Sequence, residues 1–145
     1  FAPEIFMSAR PEDPLKAKQL EKGLKELGEE GAVQVFKTDM GRRLLGAVGR
    51  LQFDIVAHRL KGEYNVAALY EAAEIYTARW LSFPNDEERA KFKQREPAGL
   101  AEDIDGNPVY LAPSRYKLQI TIERFPEVGF HATREHGEVV EQGLG

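Results

Sequence analysis

The chain contains no cysteine. That absence removes disulfides, thiolate catalysis and cysteine-based zinc or iron–sulfur sites together. No apolar run approaches the roughly 20 residues a membrane-spanning helix needs. Nor does any stretch have the charged, apolar, small-residue order of a secretory signal. These absences suit a cytoplasmic protein with no membrane partner. The nucleotide-binding loop G-x-x-x-x-G-K-[ST] is missing, as is the R-G-F-G-F-V type of strand used by RNA-recognition folds. No Ser-His-Asp arrangement can be drawn, and no carboxylate pair stands out from the 24 acidic residues. The histidines are His58, His131 and His136. The last two are five apart, so they share neither a helix face nor a strand face, and all three are expected as surface or capping residues. The first residue is Phe1 rather than Met, which reads as a fragment of a larger protein.

What is present is an ordinary globular composition, 42% hydrophobic and 30% charged in 145 residues. This is enough chain for one domain or two small ones. Residues 1–73 hold 11 basic and 11 acidic side chains, and residues 74–145 hold 9 and 13, so the net charge of −4 lies in the second half. A mildly acidic chain is a poor nonspecific binder of nucleic acid, so DNA is not an expected partner.

The most informative stretch is Leu44 to Tyr70. A short apolar strand meets Gly49, then Phe53, Val56, Ala57, Leu60 and Tyr64 recur three and four apart on one helix face. Leu51 and Ile55 are expected to widen that face against a sheet. Upstream, Ile5, Met7 and Ala9 alternate as a half-buried strand, and Asp13 with Pro14 starts a helix over residues 15–28. That helix carries Ala17, Leu20, Leu24 and Leu27 inward and stops at Gly28 and Gly31. Strands follow over 32–37 and 43–48. Residues 4–70 therefore spell β-α-β-β-α-β, the ferredoxin-like order.

The second half repeats the order without repeating the residues. A strand at 74–83 leads to a charged, peripheral helix at 86–96, anchored by Ala90 and Phe92. Strands at 100–104 and 108–112 flank the turn Asp105-Gly106-Asn107. Residues 116–125 are ambiguous: Tyr116, Leu118, Ile120 and Ile122 alternate as in a strand, whereas Leu118, Ile122 and Phe125 fit a helix capped by Ser114. Because Pro126 punctuates the segment, a helix is favoured, with a closing strand at 128–132. The fold class is thus α+β, two packed ferredoxin-like antiparallel units, over 1–72 and 73–135, with 136–145 a flexible tail. Trp80 and Phe83 are expected near their junction, and the short 70–74 connection should make the pair one rigid body.

Gly46 and Gly49, between strand and helix, are assigned to close packing rather than phosphate binding, and the D-x-x-G spacing of Asp103–Gly106 to coincidence in a hairpin turn. The remaining candidates are basic residues near turns: Arg42, Arg43, Arg50, Arg115, Lys117 and Arg134. They are either solvated loop charges or phosphate contacts to a structured RNA. Catalytic, cofactor-binding and metal-binding residues are not assigned.

The runs EEGAVQVFK (29–37), LLGAVGRLQFDIVAHRLKGEYNV (44–66), YTARW (76–80), YLAPS (110–114) and ERFPEVGFHATRE (123–135) together resemble the C-terminal domain, domain III, of the bacterial class II peptide chain release factors. These are the release factor 3 translational GTPases. Residues 29–66 are also similar to domain III of elongation factor G, which is ferredoxin-like. The resemblance implies a ribosome-contacting domain whose upstream neighbours, a GTPase domain and a β-barrel, bind GTP or GDP with magnesium. It implies contact with the small subunit and its rRNA, and displacement of class I release factors after peptide release. It implies no catalysis by this segment. Two other hypotheses remain from the residues alone. One is a regulatory module sensing a small molecule between tandem ferredoxin-like units, and the other is an orphan enzyme on that fold, disfavoured by the missing nucleophile–base pair.

Overall fold

The structure, a computed structural model, describes residues 1–134 and 140–141. The chain divides into two compact units, Pro3–Glu74 and a second formed by Phe1–Ala2 with residues from Ile75 onward. Each is an α+β unit of antiparallel strands and two helices.

In the first unit, β1 (Ile5–Pro11), α1 (Ala17–Glu29), β2 (Gln34–Thr38), β3 (Arg43–Ala47), α2 (Arg50–Tyr64) and β4 (Ala68–Ala72) follow in order. The strands lie β4-β1-β3-β2, the order produced when each strand–helix–strand passage steps over one neighbour. Asp13 accepts the Leu15 N–H at 3.0 Å and Pro14 opens a 3-10 turn, Pro14–Lys16, that precedes α1. The α-helix proper starts later than its sequence suggests, and Ala17 stays exposed while Leu20, Leu24 and Leu27 are buried. Gly31, at φ +83, supplies the left-handed residue past the helix end.

Three features of this unit depart from the apolar pattern. Phe6, not Ile5 or Met7, is the buried large side chain of β1. Its ring meets Phe36 of β2 at 6.2 Å across the intervening β3. Gly23 is buried in α1, and a Cβ there would lie 2.5 Å from Leu60 Cδ2 and 3.0 Å from the Tyr64 ring. The two helices therefore approach through a missing side chain. Finally, Leu51 and Ile55 do not widen the inner face of α2; they are 68% and 47% exposed. At 100° per residue they sit opposite Phe53, Val56 and Leu60, the residues that α2 buries.

The second unit comprises β5 (Thr77–Ser82), α3 (Asp86–Arg95), β6 (Leu100–Glu102), β7 (Pro108–Ala112), α4 (Arg115–Arg124), β8 (Gly129–His131) and β9 (Val140–Glu141). Its strands run β6-β7-β5-β8-β9, so its first four repeat the order of the first unit. Residues 115–124 form a helix rather than a strand. Ser114 Oγ accepts the Lys117 N–H at 3.0 Å, and Leu118, Thr121 and Ile122 turn inward. Helix α3 is charged but not peripheral in effect. Phe92 is its one buried residue, whereas Ala90 is exposed and anchors nothing. The Phe92 ring stands 4.7 Å from Phe125, 5.7 Å from Tyr110, 5.8 Å from Phe83 and 6.1 Å from Phe130. It is the hub of the unit's core. Of the proposed tail, Val140–Glu141 pair with β8; its other residues, His136 among them, lie outside the described residues.

Candidate functional site

The six basic candidates separate into two classes. Arg43, Lys117 and Arg134 are engaged within the chain. Arg43 donates to Glu21 at 2.9 Å and to the Gly41 carbonyl at 2.8 Å. Lys117 reaches the buried Glu96 at 3.1 Å, and Arg134 pairs with Asp105. Arg42, Arg50 and Arg115 are exposed and, among the described residues, have no side-chain partner. A guanidinium with no internal ion pair gives none up on binding, so these three are the cations available to an external anion.

The backbone places them apart. Arg42 sits on the tight turn between β2 and β3, where Gly41 has φ +83, the Thr38 N–H donates to the Arg42 carbonyl at 3.1 Å, and the Arg42 N–H donates to Thr38 Oγ1 at 3.1 Å. Arg50 begins α2 beyond the far end of β3, roughly 13 Å of strand away. Arg115 opens α4 in the second unit. Arg10, which sequence inspection passes over, lies on β1 beside Ala9, the register partner of Arg43. Only strand pairing brings residues 10 and 42–43 together; no local signal in the sequence does so.

Two loops that invite a phosphate-binding interpretation do not fit one. A Cβ on Gly46 would stand 2.7 Å from Pro3 Cβ and 3.2 Å from both Phe36 and Phe6, so this glycine makes room for the two rings. Gly49, by contrast, faces open space, and close packing does not explain it. Its N–H and that of Val48 both donate to Gln52 Oε1, at 3.2 and 2.7 Å. These two amides, which lead into the helix start, are thus satisfied by a side chain of the first turn of α2. Gly46→Ala is expected to cost about 2 kcal/mol through overpacking, whereas Gly49→Ser should shift stability by only a few tenths of a kcal/mol. Urea denaturation of the two variants checks the contrast.

Asp103 belongs to a turn clamp. Its Oδ1 accepts the N–H groups of Asp105 and Asn107, both at 2.9 Å, and Oδ2 accepts Trp80 Nε1 at 2.9 Å and Asn107 Nδ2 at 3.0 Å. Burial opposes ionisation of this carboxyl. The hydrogen bonds from Trp80, Asn107 and the two backbone amides outweigh it and hold the group below the usual carboxylate range. His58 is exposed as expected, but His131 is neither a surface nor a capping residue. It is buried, with Nε2 2.8 Å from Ser82 Oγ. Among the described residues no group of three or more metal-ligating side chains converges, and no helix is long and apolar enough to cross a membrane.

Comparison with known proteins places this geometry in a family. A family model described as "Class II release factor RF3, C-terminal domain" matches residues 1–122. A protein named "Peptide chain release factor 3" in Aromatoleum aromaticum is 62% identical over 138 residues, 95% of this chain and 25% of that protein. The chain thus spans about a quarter of the length of the curated relative it matches.

Proposed function

Because the chain belongs to the class II release factor family and corresponds to its C-terminal domain, we propose that it acts in translation termination as the ribosome-contacting part of a GTPase. In this account the domain meets the small subunit and its rRNA through Arg42, Arg50 and Arg115, and packs on GTPase and β-barrel domains of the same protein. GTP or GDP with magnesium is held by that GTPase domain, and this segment performs no bond chemistry. Its contribution is mechanical: contacts that favour the GTP-bound factor on one ribosome conformation shift the population away from the state that holds a class I release factor, which then dissociates. The cytoplasm is the compartment this implies.

The observation that carries the proposal is the family match over most of the chain, joined by three exposed guanidiniums that have no side-chain partner among the described residues. Each neutralised phosphate releases counterions, so binding should weaken as salt rises. The chain should therefore pellet with ribosomes at low salt and less so at moderate salt. The triple variant Arg42→Glu, Arg50→Glu, Arg115→Glu should lose at least tenfold in affinity. Unchanged pelleting of that variant overturns the assignment of these residues. Failure of the unaltered chain to pellet at low salt, together with a metabolite that raises its melting temperature, would return the regulatory-module hypothesis.

A further inference from the structure

At one end of the first unit, β1, the start of α1 and the 38–42 turn enclose a half-open cleft of about 380 Å³. Buried Ala9 and Leu20 line its depth, and Arg10, Arg42 and Arg43 converge on it with Glu21 and Glu71. The three guanidiniums are held in different ways. Arg43 is fixed, its fork committed to Glu21 and the Gly41 carbonyl and its side chain only 18% exposed. Arg42 is presented by a pinned backbone, with its own head group uncommitted among the described residues. Arg10 is loosely held. Its Nε and Nη2 both reach the same oxygen, Glu71 Oε1, at 3.4 Å, and both side chains are more than half exposed.

We propose that this cleft is a phosphate site in which Arg42 and Arg10 clamp one backbone phosphate of ribosomal RNA, with Arg43 as the fixed wall behind it. The proposal rests on the ribosome-contact reading and adds a site, a residue and a competitor to it. A guanidinium fork matches two phosphate oxygens at shorter range than the 3.4 Å contacts Arg10 now makes. A phosphate therefore offers Arg10 a better partner than Glu71, whose carboxylate is free to turn toward solvent. Glu71 acts as a built-in competitor, and the pair Arg10–Glu71 opens when the ligand arrives. Glu21 does not compete in the same way, because Arg43 neutralises it.

The test is a titration of the isotope-labelled chain with a 16-base-pair RNA duplex, followed by NMR, with inorganic phosphate as a parallel probe. The duplex should move the amide signals of residues 8–11 and 41–43. Arg42→Ala and Arg10→Ala should each weaken duplex binding about fivefold and lower its salt slope by about one. Glu71→Gln should strengthen binding about threefold by releasing Arg10. Equal binding by the arginine variants, or no gain from Glu71→Gln, overturns the site. Inorganic phosphate binding as tightly as the duplex overturns the RNA assignment. Ribosome pelleting separates the two levels of the proposal. If the unaltered chain pellets and the double variant Arg10→Ala, Arg42→Ala pellets equally well, the cleft falls and the ribosome reading stands. If the unaltered chain fails to pellet at low salt, the reading falls and takes with it the ligand named here.

Discussion

Phe92→Ala should cost the second unit about 4 kcal/mol, the range seen when a large aromatic leaves a closed core. The side chain is 0% exposed and its ring contacts four other aromatic rings, so the neighbours cannot collapse into the gap without leaving their own partners. Helix α3 would suffer most. It buries nothing else, and its other supports lie at the surface or the ends: the Asn85 cap, which accepts the Glu88 N–H at 2.8 Å, Arg89 over the Phe83 ring at 5.4 Å, the Lys117 pair with the C-cap Glu96 and end charges matched to the helix dipole. Asp86, Glu87 and Glu88 lie in the first turn, Lys93 and Arg95 in the last. Such terms are worth about 1 kcal/mol each or less. The measurement is direct, because the chain has one tryptophan, Trp80, and it lies in β5 of this unit. Urea unfolding followed by its fluorescence should show an earlier midpoint by the stated energy. Phe92→Leu, which refills much of the volume, should recover more than half of it. A midpoint unchanged in Phe92→Ala would mean that α3 is not held by this ring.

Asp103→Ala should cost about 3 kcal/mol. It removes the acceptor of four hydrogen bonds, one of them from the indole N–H of the buried Trp80. Asp103→Asn should fall between the two, since its amide nitrogen cannot accept and must face one of the donors. The same carboxylate makes a pH prediction. Its folded pKa lies below the ordinary value of 3.8, so the folded state binds that proton less readily than the unfolded chain. The stabilisation is fully present above pH 3.8 and is lost as pH falls through the lower, folded value. In acid, the unaltered chain should therefore lose a component of stability that Asp103→Ala never has, and the gap between the two midpoints should narrow. A gap that stays constant from neutral pH to pH 2 would show that the carboxylate's charge contributes nothing. Trp80 fluorescence again reports the right unit.

The uneven legibility of the chain has physical causes. Helix α2 was readable because Phe53, Val56 and Leu60 repeat at the helical period, and the 105–107 turn because Gly106, at φ +83, suits backbone that other residues adopt poorly. Leu51 and Ile55 misled because hydrophobicity alone does not say which side of a helix is inward; they are apolar yet face solvent. Ala90 misled for the same reason. Gly23 gave no local signal at all, since its meaning is set by Leu60 and Tyr64, and Gly46 was legible as a close-packing glycine while its neighbours Pro3, Phe6 and Phe36, remote in sequence, were not.

The six candidate cations show the same division. Chemistry in the chain names them as basic, but availability depends on partners. Glu21, Glu96 and Asp105 occupy Arg43, Lys117 and Arg134, leaving Arg42, Arg50 and Arg115 uncommitted among the described residues. Arg10, loosely paired with Glu71, comes beside the 41–43 turn only because strand register carries it there.

By itself the order of residues determined most of the element sequence, the α+β class and the family, because periodicity, turn chemistry and ordered motifs are local and survive without a third dimension. Tertiary structure alone decided which glycines make room for rings, which phenylalanine anchors the second core and which arginines remain free. Each of those depends on what a side chain meets across the fold, and distance along the chain carries no record of it.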